Sequence, residues 1–126
     1  MKLKLWLTLG AVVMVVFGIG LVAATKFMFT TFGVDLNDSA ALMARLFGAT
    51  FLFAAIAQWG ARNSSGSDPA VRGILYGAVV GNIIGAVFTL MATLNGLMNS
   101  LGWLPVALYA VFALVFIYFL FAKPSP

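Results

Sequence analysis

The sequence has no cysteine and no histidine, and only three of its 126 residues are acidic. Without thiols and imidazoles it lacks disulfides, cysteine nucleophiles, histidine bases and the usual zinc and haem ligands. Charged residues of both signs make up 8% of the chain, whereas a soluble domain carries roughly 25%. These absences exclude most membrane redox enzymes as functions of this chain alone. We predict no cofactor, no metal and no enzymatic activity.

What the sequence does contain is long apolar runs, and 63% of its residues are hydrophobic. Four runs have the length of a membrane-spanning helix, at residues 5–25, 39–60, 69–94 and 103–121. They predict a single-domain, all-α membrane protein built as a four-transmembrane-helix bundle. Residues 27–34 are too apolar for a free loop and too short to span, which favours an interfacial or re-entrant segment after the first helix. A lid over a lipid or substrate pocket is an alternative interpretation of that segment.

The seven basic residues are scattered near predicted helix ends, a distribution that indicates membrane topology and no nucleic-acid partner. With four spans, five of them share the side of the two termini: Lys2, Lys4, Arg62, Arg72 and Lys123. Lys26 and Arg45 belong to the opposite side. The positive-inside rule then predicts a multi-pass protein of the bacterial inner membrane, with both termini in the cytoplasm.

A stripe of small residues is the strongest pattern within a span. Gly73, Gly77, Gly81 and Gly85 recur every four residues in the third run, and such spacing lets another helix backbone approach closely. We therefore predict that these glycines are helix-packing residues of the glycine-zipper type. The expected partners are membrane lipids and either further copies of this chain, as a homo-oligomer, or other membrane protein subunits.

Three polar residues are candidates for burial: Arg45, Asn82 and Asp38. A membrane-embedded arginine is costly unless paired, so we expect Arg45 to pair with Asp38, with an anion or substrate site as the alternative. For Asn82 the expected role is a hydrogen bond between helices, and the alternative is a ligand contact. Gln58 lies close enough to the end of its span that we expect it to be solvated.

Several short motifs together resemble the small four-helix bacterial membrane proteins of the DoxX-like group, in an uncharacterised subfamily. They are Gly18-Ile19-Gly20, Ala44-Arg45-Leu46-Phe47-Gly48, Gln58-Trp59-Gly60-Ala61-Arg62, Gly81-Asn82 and Leu101-Gly102-Trp103-Leu104-Pro105. The resemblance covers essentially the whole chain. Some DoxX-like proteins are subunits of quinone-linked complexes, so the resemblance implies a role as a subunit of such a complex. It implies no catalytic residue in this chain.

Three functions are compatible with these patterns. The leading one is a non-catalytic accessory or helix-packing subunit of a larger membrane assembly. The second is a small-molecule or lipid transporter, although coupled carriers generally need an acidic residue within the membrane, and Asp35, Asp38 and Asp68 all fall in loops or at helix starts. The third is a quinone- or lipid-linked enzyme subunit, for which only Arg45, Lys26, Asn82 and the tyrosines offer polar groups.

Overall fold

The computed structural model describes residues 2–122, and most of them are helical. The helices are α1 (Leu3–Ala23), α2 (Thr25–Thr31), α3 (Asp38–Ala61), α4 (Pro69–Leu94) and α5 (Trp103–Phe121), with a 3₁₀ turn at Ser100–Gly102 before α5. Among the described residues, α1, α3, α4 and the segment Ser100–Phe121 are long and apolar enough to cross a membrane. The predicted all-α fold with four transmembrane helices is confirmed.

Side-chain caps fix where α3 and α4 begin. The Asn37 carboxamide oxygen accepts a hydrogen bond from the Ala40 amide at 2.8 Å, and the Asp68 carboxylate accepts one from the Ala70 amide at 2.8 Å. Pro69 occupies the first turn of α4, where its missing N–H leaves no bond unmade. Since these residues carry start signals, the predicted and observed beginnings of α3 and α4 agree to within one residue.

Helix α1 ends two residues earlier than expected, because the chain turns sharply at Ala24 and continues as α2. The segment expected to be interfacial or re-entrant is thus mostly helical, and the side chain of Phe27 is 76% exposed. Gly33 follows with a φ of +81°, a left-handed conformation that side chains disfavour, and it ends the segment. The position of α2 at a membrane surface stays a prediction.

The four long helices form two tightly packed pairs. In the first pair α1 crosses α3 at Gly18 and Gly48, where a Cβ atom added to Gly48 would lie 3.0 Å from the Gly18 carbonyl oxygen and 2.8 Å from the Leu21 Cβ. In the second pair α4 packs against α5, and the Tyr109 ring lies directly on Gly85. Small residues therefore bring the two backbones together in the first pair and make room for an aromatic ring in the second.

The two pairs are joined to each other at both ends. At the end near the chain termini, side chains from all four long helices form one buried cluster: Leu7, Ala61, Val71, Leu75, Phe112, Phe116 and Leu120. At the opposite end Asn99 donates from its backbone amide to the Phe32 carbonyl at 2.8 Å, and from its side chain to the Thr31 carbonyl at 3.0 Å. Between these junctions α3 and α4 separate and leave a groove.

Candidate functional site

A large groove, with a volume of about 890 Å³, lies between α3 and α4. This volume lies within the range of roughly 300 to 1,000 Å³ typical of small-molecule sites. Its α4 wall is built mainly from small residues: Ala70, Gly73, Gly77, Ala78, Gly81 and Gly85. Its α3 wall is built from aromatic and small residues: Phe47, Phe51, Phe53, Ala54 and Ala57. We call this feature the α3–α4 groove.

The glycine stripe of α4 lines this groove. A Cβ atom added at Gly73, Gly77 or Gly81 would meet no heavy atom of the described chain within 4 Å, beyond its own helix neighbourhood. Gly85 differs, because an added Cβ would overlap the Tyr109 ring. The stripe therefore divides into one position packed against α5 and three that give the groove a smooth, shallow wall. Packing of a helix from another molecule against those three stays a prediction.

A smaller cavity of about 60 Å³ lies next to the groove, and all four long helices contribute to its lining. Five residues line both spaces and so form the boundary between them: Met14, Phe51, Gln58, Asn82 and Tyr109. We call this second space the inner cavity. A water molecule needs roughly 10–15 Å³ of such volume, so the inner cavity can hold a small polar group together with a few heavy atoms.

Gln58 is the most unusual residue of the site. Only 3% of its surface is exposed, which corrects the expectation that it would be solvated near the end of its helix. Its amide nitrogen has a weak contact with the Met14 sulfur at 3.6 Å. Its carboxamide oxygen lies against Gly10 and has no hydrogen-bond partner among the described residues. An unpaired buried acceptor costs about 1–3 kcal/mol, and sequence patterns gave no sign of it.

Some of the remaining polar groups of the groove have a hydrogen-bond partner within the described chain, and others have none. Thr50 and Thr89 donate their hydroxyls to carbonyls one turn earlier in their own helices. The Asn82 amide does the same, donating to the Ala78 carbonyl at 2.7 Å, so the expected hydrogen bond between helices is replaced by one within α4. The Asn82 oxygen and the Tyr109 hydroxyl make no hydrogen bond to another described residue. Three groups on the boundary therefore retain hydrogen-bonding capacity.

The other two polar candidates lie away from the groove. Arg45 and Asp38 are exposed on α3, which corrects the expectation that they are buried. The expected pairing is also corrected, because the Asp38 carboxylate accepts from the Lys26 ammonium at 3.0 Å. The turn at Ala24 places α2 beside the start of α3, whereas Arg45 is about 10 Å further along its helix. Within residues 2–122, Arg45 forms no salt bridge.

Comparisons with protein-family models, curated proteins and solved structures found no match. The resemblance to the DoxX-like group therefore stays a prediction from the sequence motifs.

Chemically, the groove and the inner cavity form an apolar site with a few polar groups at the boundary between the two spaces. Neither lining includes a charged side chain from the described part of the chain, and no group of three or more metal-ligating side chains occurs in that part either. The arrangement can bind a neutral, largely apolar molecule and hydrogen-bond one end of it. It offers no means of neutralising a charged group.

Proposed function

We propose that this is a non-catalytic membrane protein that binds a lipophilic molecule in the α3–α4 groove, and that the molecule enters from the surrounding lipid. The observation that carries the proposal is the combination of an open apolar groove with an unpaired, buried carboxamide at its inner boundary. A surface that only contacted lipid chains would gain nothing from such a group. Carriage or presentation of a lipid is the function that this geometry supports best.

The shape of the α4 wall also supports the proposal. Gly73, Gly77 and Gly81 are exposed along one line, and they leave room that any larger side chain would fill. The two helix pairs are held at both ends, by the buried cluster and by Asn99, so the opening in between does not need the pairs to come apart. A flexible chain can therefore lie along α4 without disrupting the fold.

A second candidate function, the accessory or helix-packing subunit expected from the sequence, is favoured by the same glycines. Three aligned glycines with no neighbour in the described chain can receive a transmembrane helix of another copy or another subunit. The Gln58 carboxamide would then hydrogen-bond a polar side chain of that helix. The two functions differ in what remains bound to the purified protein.

Filling the groove distinguishes the two candidates. Gly77→Leu adds a side chain where no atom of the described chain lies within 4 Å, so we expect it to fold normally and to gain up to about 1 kcal/mol from helix propensity. For the wild type, native mass spectrometry in mild detergent should find a monomer with one neutral lipophile. We expect the Gly77→Leu variant to lose that lipophile, while the melting temperature of the lipophile-free protein is unchanged or slightly raised.

The matched control is Val80→Leu, which adds one methylene on an exposed face of α4 outside the groove. It should retain the lipophile. If the wild type purifies as a stoichiometric oligomer and Gly77→Leu dissociates it, the result would favour the helix-packing function. A monomer that purifies from its native membrane with neither a lipophile nor another subunit would contradict both candidates.

We also propose that the protein lies in the inner membrane of a bacterium with both termini in the cytoplasm. The motivation is the excess of basic residues at the end of the bundle that carries Lys2, Lys4, Arg62 and Arg72. Two of these side chains contact other residues at the same end of the bundle. The Arg62 guanidinium stacks on the Trp59 ring at 3.9 Å, and the Arg72 guanidinium donates to the Leu120 carbonyl at 3.0 Å. The opposite end carries the Lys26–Asp38 pair.

Single cysteines test this orientation cleanly, because the chain contains none of its own. Ser65→Cys lies in the loop between α3 and α4, and Ser100→Cys lies at the start of the 3₁₀ turn before α5; both positions are exposed. Ser100 is preferred to Asn99, whose side chain donates to the Thr31 carbonyl at the end of α2. In intact cells an impermeant thiol reagent should label Ser100→Cys and leave Ser65→Cys unlabelled. The reverse pattern would invert the proposed orientation.

A further inference from the structure

The unpaired oxygen of Gln58 specifies the kind of ligand, because an acceptor is satisfied only by a donor. We propose that the lipophile of the α3–α4 groove carries a hydroxyl group, which enters the inner cavity and donates a hydrogen bond to the Gln58 carboxamide oxygen. This inference rests on the proposed function and adds the chemical class of the ligand: a neutral, long-chain alcohol.

The position of Gln58 supports this assignment. The residue lines both spaces, so a molecule lying in the groove can reach it through the boundary. Its oxygen now lies against Gly10, which also lines the inner cavity. The terminal torsion of a glutamine side chain has broad, soft minima. Rotation about this torsion can therefore turn the oxygen from Gly10 towards a donor in the cavity.

The hydrogen bonds already made favour a hydroxyl over other neutral groups. The Gln58 nitrogen has only the Met14 sulfur as a partner, at 3.6 Å. A ketone, ester or ether could accept from that nitrogen but would leave the oxygen unpaired. A hydroxyl can donate to the oxygen and still accept a hydrogen bond from the nitrogen or from the nearby Tyr109 hydroxyl. A hydroxyl is thus a small neutral group that can be a hydrogen-bond donor and a hydrogen-bond acceptor at once.

The linings exclude charged alternatives. A phosphate or carboxylate would need a cation or several donors, and neither lining includes a lysine or arginine from the described residues. An ammonium group would need a carboxylate, and the linings include none from that part of the chain. The inner cavity, at about 60 Å³, suits a hydroxyl and its first carbon atoms, while the groove of about 890 Å³ holds the remaining chain.

The test compares two probes with the same alkenyl chain, oleyl alcohol and oleyl methyl ether, in which a methyl group replaces the hydroxyl hydrogen and removes the donor; Gln58→Met controls for the bulk of that methyl group. Both are added at known mole fractions to nanodiscs that contain the wild-type chain, and their binding is measured by competition with tritiated oleyl alcohol. One net hydrogen bond corresponds to a preference of about threefold to tenfold for the alcohol. In Gln58→Met, which keeps the length but lacks the acceptor, we expect this preference to fall to about onefold while ether binding is unchanged.

Each outcome decides the inference. Equal binding of both probes to the wild type would overturn it, and would indicate that water serves the Gln58 oxygen, while leaving the proposed lipophile-binding function intact. A preference that persists in Gln58→Met would also overturn it. Binding of neither probe would contradict the proposed function itself. The comparison within the wild type holds even if Gln58→Met fails to fold.

Discussion

Replacing Gly48 by leucine is expected to cause the largest loss of stability of any single glycine substitution in the described helices. A Cβ atom at this position would lie 2.8 Å from the Leu21 Cβ, 2.9 Å from a methyl of Val22 and 3.0 Å from the Gly18 carbonyl oxygen. The last of these is backbone and can move only if the whole of α1 moves. Overpacking of a core typically costs about 1–3 kcal/mol, and separating α1 from α3 also removes dispersion contacts along the pair.

The matched control for this prediction is Gly60→Leu, on the same helix, where an added Cβ atom meets nothing within 4 Å in the described chain. We expect Gly60→Leu to leave the free energy of unfolding unchanged or to raise it by up to about 1 kcal/mol through helix propensity. Steric trapping in bicelles gives the free energy of unfolding for both variants. If Gly48→Leu and Gly60→Leu are equally stable, the α1–α3 crossing described above is wrong.

These two substitutions show which part of the packing could be predicted from the sequence. The spans were predictable because apolar length and capping residues are local signals, as Asn37 and Asp68 illustrate. The closest crossing was only partly predictable. Ala40, Ala44 and Gly48 give α3 a small-residue edge with the same four-residue spacing as the stripe from Gly73 to Gly81, yet Gly48 packs against α1 whereas the stripe faces a groove. A small residue shows that close approach is possible, but the arrangement of the helices decides where it occurs.

The candidate site was only partly predictable for a related reason. Asn82 was identified as a polar residue within a span, and it does line the groove. Gln58 was expected to be solvated, since it is three residues from the end of α3. Which side of α3 faces α1 depends on the rotation of the helix about its axis, and that rotation turns Gln58 towards Gly10 and Met14. A weak amphipathic pattern in an apolar helix does not specify this rotation.

The ion pair shows the same limit at the surface. Asp38 and Arg45 lie about two turns apart on one face of a helix, and their pairing was predicted because a long arginine side chain can extend along that face. Lys26 is twelve residues from Asp38, and only the break at Ala24 and the short helix α2 bring the two together. Local spacing rules apply within one helix, and they cannot anticipate a partner supplied by a turn.

Binding of the lipophile predicts a second large effect, on the pattern of photo-crosslinking. A long-chain alcohol with a diazirine at mid-chain should label the walls of the α3–α4 groove, on peptides that contain Phe51, Ala78 and Asn82. A smaller concavity of about 380 Å³ on the outer face of α1 and α3, around Val12, Val15, Val16 and Ile56, is equally apolar but has no side-chain amide or hydroxyl among the described residues that line it, and it provides the background expected for ordinary lipid contact.

This crosslinking experiment tests most directly whether a lipophile binds in the α3–α4 groove when it includes the double variant Gly77→Leu/Gly81→Leu. Two leucine side chains should fill the α4 wall at positions where the described chain leaves space. The account predicts that groove labelling falls by at least about tenfold, equivalent to about 1.4 kcal/mol of binding free energy, while labelling around Val12 and Val16 is unchanged. Labelling spread evenly over the apolar surface, or groove labelling that is the same in the double variant, would contradict it.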